Sequence, residues 1–136
     1  MDLSEAKAKY PGSEVFRFGD SEDLCDELTS LVISGIKVAT CDALSVYESG
    51  KEKFPRVGRV DIALTWDGNP AVAIRTIGMN VVKFKEVDEI FALAEGENSD
   101  LEGWQKDHRE YFERNGGYDP EMILVCERFE VVEVFG

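Results

Sequence analysis

The chain has 136 residues, 43% of them apolar, which fits one globular domain with a proper core. Its 28 acidic residues against 15 basic ones leave a net charge of −13, a surface that repels phosphate backbones and argues against a duplex DNA partner. No apolar run approaches the roughly 20 residues that span a bilayer, the N-terminus is acidic and polar, and Cys25, Cys41 and Cys126 lie too far apart for a CxxC pattern. A cytoplasmic protein with no membrane partner is expected, and the acidity is read first as a solubility feature.

Along the chain, Ser4 to Lys9 predicts a short helix ended by Pro11-Gly12, and Glu14 to Phe18 a short strand. Asp20 or Ser21 caps a helix with Leu24, Leu28, Leu31 and Val32 on one face, and Gly35 stops it. Val38 to Cys41 reads as a strand. Asp42 to Pro55 is polar, lacks a period and is expected to be a loop. Val60 to Trp66 and Ala71 to Ile77 flank Asp67-Gly68, a strong hairpin signal, and Val81 to Phe84 extends the sheet or starts another strand.

Val87, Ile90, Phe91 and Ala94 then recur at helical spacing until Gly96 interrupts them. Ser99-Asp100-Leu101-Glu102 has the form of a capping box. The helix it opens carries Leu101, Trp104, His108, Tyr111 and Phe112 on one face and stops at Gly116-Gly117. Met122 to Phe135 closes the chain as a long strand. The strands exclude a bundle, and no βαβ alternation suggests a parallel sheet. The expected class is α+β: a small, mostly antiparallel β-barrel with flanking helices. Residues 1–20 are read as an N-terminal extension packing on a domain of residues 21–136.

Several residues have chemistry to offer. Lys37 follows a helix end. Facing a pocket, it would lose hydration, and desolvation lowers a lysine's pKa toward use as a base or nucleophile. Facing solvent, it merely complements the helix C-terminus. Thr40 supplies a hydroxyl, but in a regular strand positions three apart point to opposite faces, so sharing a cavity with Lys37 requires an irregular start. Glu127 stands in the row Ile123, Val125, Phe129 and Val131, where a carboxylate needs a partner. Lys37, Arg75 and a ligand amine are the candidates.

Tyr47, Lys51, Lys53 and Arg56 form the one compact basic stretch with an aromatic, suited to stacking a base and meeting phosphate or simply to a solvated loop. His108 is the only histidine. No His/Cys cluster at metal-ligand spacing is present, so no metal and no cofactor are expected. A Cys41–His108 nucleophile pair is the least favoured arrangement.

Gly35-Ile36-Lys37-Val38-Ala39-Thr40 resembles the G-x-K-x-A-T signature of the ASCH family, small domains with a PUA-like fold. Other stretches resemble one branch of it in order and spacing. They include Pro55-Arg56-Val57-Gly58, Asp67-Gly68-Asn69-Pro70, Phe84-Lys85-Glu86-Val87-Asp88, Ala94-Glu95-Gly96-Glu97 and Val125-Cys126-Glu127-Arg128-Phe129. Ile36 replaces a frequent second lysine, and Cys41-Asp42 stands where small residues are usual.

The resemblance implies a cleft for RNA or a nucleoside. A small-protein branch that removes the acetyl group of N4-acetylcytidine has a lysine, a threonine and a glutamate that match Lys37, Thr40 and Glu97. Glu95 is the substitute should that match be displaced. Other members are proposed ribonucleases, for which Tyr47 and Lys53 are the plausible contributors. The expected activity is therefore a hydrolase with Lys37, Thr40 and Glu97 catalytic and Tyr47, Lys51, Lys53, Arg75 and Glu127 binding. A single-stranded RNA binder or ribonuclease, and a non-catalytic nucleotide-sensing module, are the alternatives. The expected partner is a modified nucleoside or short single-stranded RNA, and the expected state a monomer or homodimer.

Overall fold

The computed structural model describes residues 1–136. In chain order it contains α1 (Leu3–Lys9), β1 (Val15–Phe16), α2 (Glu22–Ile33), β2 (Ala39–Ala43) and α3 (Leu44–Glu48). The hairpin β3 (Val60–Leu64) and β4 (Pro70–Lys83) follows, then α4 (Glu89–Ala94), α5 (Leu101–Arg114) and β5 (Ile123–Val134). The five strands form one sheet in the order β1-β3-β4-β5-β2. The α+β class and the mostly antiparallel sheet are as expected, with the short β1–β3 pair the parallel exception. The barrel is not closed: β1 and β2 are both edges, and no ladder joins them.

Local chemistry explains the elements that frame this sheet. Ser21 caps α2 by accepting from the Leu24 N–H, and Cys25, Leu28, Thr29 and Val32 form its buried stripe. Burying a Leu28- or Val32-sized side chain contributes about 1.5–3 kcal/mol each. Gly35 ends the helix at φ +81°, a conformation that other residues rarely adopt. The Ile36 and Lys37 N–H groups then both donate to the Leu31 carbonyl, so the chain is still turning at Lys37 and enters β2 only at Ala39.

Two elements differ from the sequence reading, and β4 resolves an alternative that it left open. The expected loop after Cys41 continues β2 to Ala43 and then forms α3, a five-residue helix without a side-chain cap. Packing of Val46 on the core holds a helix too short to show a period. Val81 to Lys83 belongs to β4, which runs unbroken for 14 residues past register shifts at 73/74 and 76/78. Asp100 rather than Ser99 caps α5, because its carboxylate reaches the Gly103 N–H at 2.8 Å.

Two main apolar clusters lie against the sheet. Phe18, Leu28, Val32, Val72, Ile74 and Phe129 tie α2 to β4 and β5. Phe84, Trp104, Phe112, Leu124 and Cys126 tie α5 to the far half of the same strands. A third, smaller cluster seats Ala6 of α1 on Ile62 and Leu64.

Candidate functional site

A cavity of about 530 Å³ lies where the sheet fails to close. Val15 and Phe16 of β1 border it, as do Thr40, Cys41 and Asp42 of β2, so both edge strands reach the same space. Lys37 is at its floor and only 1% exposed.

The Lys37 ammonium has three N–H groups and three acceptors. These are Glu95 Oε1 at 3.1 Å, Glu97 Oε2 at 3.0 Å and the Glu95 carbonyl at 3.4 Å. Glu95 is itself buried, and its second oxygen collects further donors. Trp104 Nε1–H donates to Oε2 at 2.8 Å, the Cys41 thiol donates at 3.3 Å, and His108 Nε2 lies 3.4 Å away. His108 Nδ1 faces the Trp104 carbonyl at 2.9 Å. Both ring nitrogens therefore face oxygen acceptors, which only the doubly protonated imidazolium can satisfy. Lys37 and His108 against Glu95 and Glu97 make a neutral buried cluster.

The protonation states follow. Burial opposes each charge, but the partners outweigh it. Glu95 and Glu97 hold Lys37 above the ordinary lysine value, and Glu95 raises His108. Lys37, His108 and Trp104 bring the Glu95 carboxyl down to about 2. Lys37 is thus a cation rather than a desolvated free base. The Cys41 thiol is pushed well up by the neighbouring Cys126 and by burial, so Cys41 and His108 do not form a thiolate–imidazolium pair.

Gly96 lets this cluster assemble. At φ +80° it passes so close to the α2–β2 turn that a Cβ would lie 2.8 Å from the Ile36 carbonyl oxygen and 2.9 Å from Lys37 Cα. The Val38 N–H also donates to the Ala94 carbonyl. The acidic segment Glu95-Gly96-Glu97 is thereby pinned along the lysine.

An ASCH domain family model matches residues 14–133. The chain belongs to the ASCH family. The crystal structure of an ASCH domain from Lactobacillus crispatus JV V101 superposes with a TM-score of 0.81 at 31% identity, covering 94% of this chain and 84% of that one. A protein from Enterococcus faecalis V583 gives 0.84 at 33% identity, covering 96% and 85%. A hypothetical protein at 17% identity, TM-score 0.56, covers 87% of this chain and 99% of its own, and shares the fold alone. No functionally curated protein matches the sequence. No helix of this ASCH domain is long and apolar enough to cross a membrane.

Of the residues singled out in the sequence, the ASCH cavity brings together Lys37, Thr40, Glu97, Tyr47, Lys51, Lys53 and Glu127. Arg75 is elsewhere: it pairs with Glu130 across the β4–β5 ladder at 3.0 Å, outside the cavity lining. Thr40 and Lys37 reach one cavity because Lys37 precedes the strand, so strand alternation does not apply to it. Tyr47 stacks on Phe54 with ring centres 5.1 Å apart, and Lys53 is paired to Glu14 at 3.1 Å. Trp104 and His108 lie on a core-like helical stripe, and Glu95, named in the sequence only as a substitute for Glu97, is the acid that gathers them.

Glu127 meets neither Lys37 nor Arg75. It accepts from the Thr76 hydroxyl at 2.9 Å, and burial pushes its carboxyl upward. Asp42 and Glu52 on the cavity wall are raised by burial as well. A carboxyl raised in the folded state favours folding below its ordinary value and loses that contribution as pH rises through its folded value. Glu127→Gln keeps an acceptor for Thr76 and is expected to raise Tm at pH 8 by about 2–4 °C. The gain should shrink toward pH 4. Thermal melts at both pH values check it, and an equal gain at both would refute the ionisation argument.

Proposed function

We propose that this ASCH domain is a hydrolase that deacylates a modified pyrimidine nucleoside such as N4-acetylcytidine. The observation that carries the reading is the buried Lys37 ammonium, held between two carboxylates at the floor of a cavity that Thr40 also borders. Because Lys37 is held protonated, Thr40 is assigned as nucleophile and Glu97 as proton shuttle. Thr40 Oγ1 attacks the amide carbonyl carbon as its proton passes to Glu97. The protonated Glu97 is a weaker acceptor and releases one Lys37 N–H as the oxyanion forms, so a fully engaged ammonium becomes available when charge develops. Collapse of the tetrahedral intermediate expels the nucleoside amine, which takes the proton from Glu97. Water then cleaves the acyl-threonine ester, releasing the acid and restoring Thr40.

The rest of the cavity lining supports a ligand rich in N–H donors rather than in phosphate. Asp42, Glu52 and Glu127 border the cavity with no cation in a salt bridge to them, although Lys51 stands at the rim. The alternative of an RNA strand gripped by Tyr47, Lys51 and Lys53 has less in its favour, since Lys53 is already paired and the lining carries a surplus of carboxyls.

The test is mass spectrometry of N4-acetylcytidine incubated with wild type, Thr40→Ala, Lys37→Ala and Glu97→Gln. Cytidine is expected from the wild type, with each variant slower by about a hundredfold or more. Full turnover by Thr40→Ala would remove the acyl-enzyme. An untouched substrate with saturable, salt-independent binding would favour a sensing module. Binding of single-stranded RNA that falls steeply with salt would favour the RNA reading.

A further inference from the structure

Cys41, Glu95 and His108 are far apart in the sequence and come from β2, the end of α4 and α5. Their ligand atoms all lie within 4.8 Å of one another. We propose that Cys41 Sγ, Glu95 Oε2 and His108 Nε2 form a zinc site whose fourth position opens into the cavity.

Both spacings from Glu95 Oε2 are near those around a tetrahedral ion, and the Cys41 Sγ–His108 Nε2 pair, within 4.8 Å, has to close to about 3.6 Å as the ion binds. Zn–S of about 2.3 Å and Zn–N or Zn–O of about 2.0–2.1 Å set adjacent ligand atoms about 3.3–3.6 Å apart. Glu95 Oε2 is 3.3 Å from Cys41 Sγ and 3.4 Å from His108 Nε2. The outer contacts fit as well. The Trp104 carbonyl takes the Nδ1 proton, which directs Nε2 toward the ion, as a second-shell carbonyl does in zinc sites. Trp104 Nε1–H occupies one lone pair of Oε2 and leaves the other free. Lys37 binds the opposite oxygen, Oε1, so it is not displaced. All three ligand residues line the cavity, which supplies both an entry path and room for a water or ligand at the fourth position.

Charge removes the objection that a lysine stands nearby. Zn²⁺ displaces one proton from the Cys41 thiol and one from the His108 imidazolium. Two positive charges enter and two leave, so the buried cluster stays neutral. No electrons are transferred. The site does not depend on the deacylase reading, and its test reads metal rather than turnover.

Chelator-treated, reduced protein is titrated with ZnCl2 at pH 7 by calorimetry in two buffers of different ionisation enthalpy. One equivalent is expected, with about two protons released per ion. CoCl2 is expected to give a near-ultraviolet thiolate-to-metal absorption that Cys41→Ser abolishes and Cys126→Ser retains. Cys41→Ser and His108→Ala should each weaken zinc by about a hundredfold or more. The cobalt spectrum of the wild type tests the thiolate ligand even if a variant fails to fold. No saturation at one equivalent, no thiolate band, or equal zinc affinity in Cys41→Ser would overturn the site and assign any binding to surface acids.

Discussion

Lys37→Met is expected to lower the folding free energy by about 3–5 kcal/mol and to abolish turnover. Methionine fills much the same volume, so the loss is electrostatic. Glu95, itself 1% exposed, would keep its charge with His108 as its one cationic partner beside the Trp104 and Cys41 donors. Glu97 is less enclosed and can turn toward water. Acid unfolding gives a second readout. A carboxyl held down at about 2 adds stability that is full above its ordinary value and is lost progressively as pH falls from there through 2. Without Lys37 that carboxyl rises, so the variant should begin to unfold at a higher pH than the wild type. Adding Glu95→Gln should recover much of the stability, because both members of the pair are then gone, but none of the activity. Urea denaturation of the three proteins checks this. A single variant within about 1 kcal/mol of wild type would mean that the ion pair is far more hydrated than its burial indicates.

Trp104→Ala should be nearly as severe, at about 3–5 kcal/mol for the cavity alone. Trp104 is fully buried between Phe84 and His108, with ring centres 5.2 and 4.2 Å away. It also has a polar task, since its indole N–H is the shortest contact to Glu95. Trp104→Phe separates the two parts. It keeps most of the packing and should cost about 1–3 kcal/mol for the lost donor to a buried carboxylate. Should the phenylalanine variant match wild type in urea, the indole N–H would not be what secures Glu95. A loss equal to that of alanine would implicate ring shape instead.

Much of this arrangement was legible in the amino-acid order. Helix caps, the Asp67-Gly68 hairpin and the stripe of α2 rest on local chemistry that a few adjacent residues declare. Lys37, Thr40 and Glu97 were reached through a short motif and reappear around one cavity. The roles of Glu95, Trp104 and His108 were not legible. Each depends on a contact between elements distant in the chain, and an α5 face of Trp104, His108 and Phe112 has the same period whether it packs on carbon or on a carboxylate. Lys37 reads in the sequence either as a lysine desolvated in a pocket, with its pKa lowered, or as one facing solvent. The sequence order does not reveal that two carboxylates accompany it into the interior, and that pairing reverses the sign of the shift. Arg75 was offered as a partner for Glu127 on charge alone, and a cross-strand acid, Glu130, takes it instead.

The unjoined edges of β1 and β2 determine how a ligand meets Lys37. In a fully laddered barrel, Lys37 would be sealed behind backbone, and admission would require strands to separate against their hydrogen bonds. Here no ladder joins the two edges, and one of them is a strand only two residues long. Admission is therefore governed by segments that contribute little to the rest of the sheet. The stretches before β1 and after β2 can change in length or sequence, and so in the guests they accept, while the lysine, its two acids and the tryptophan behind them stay in place.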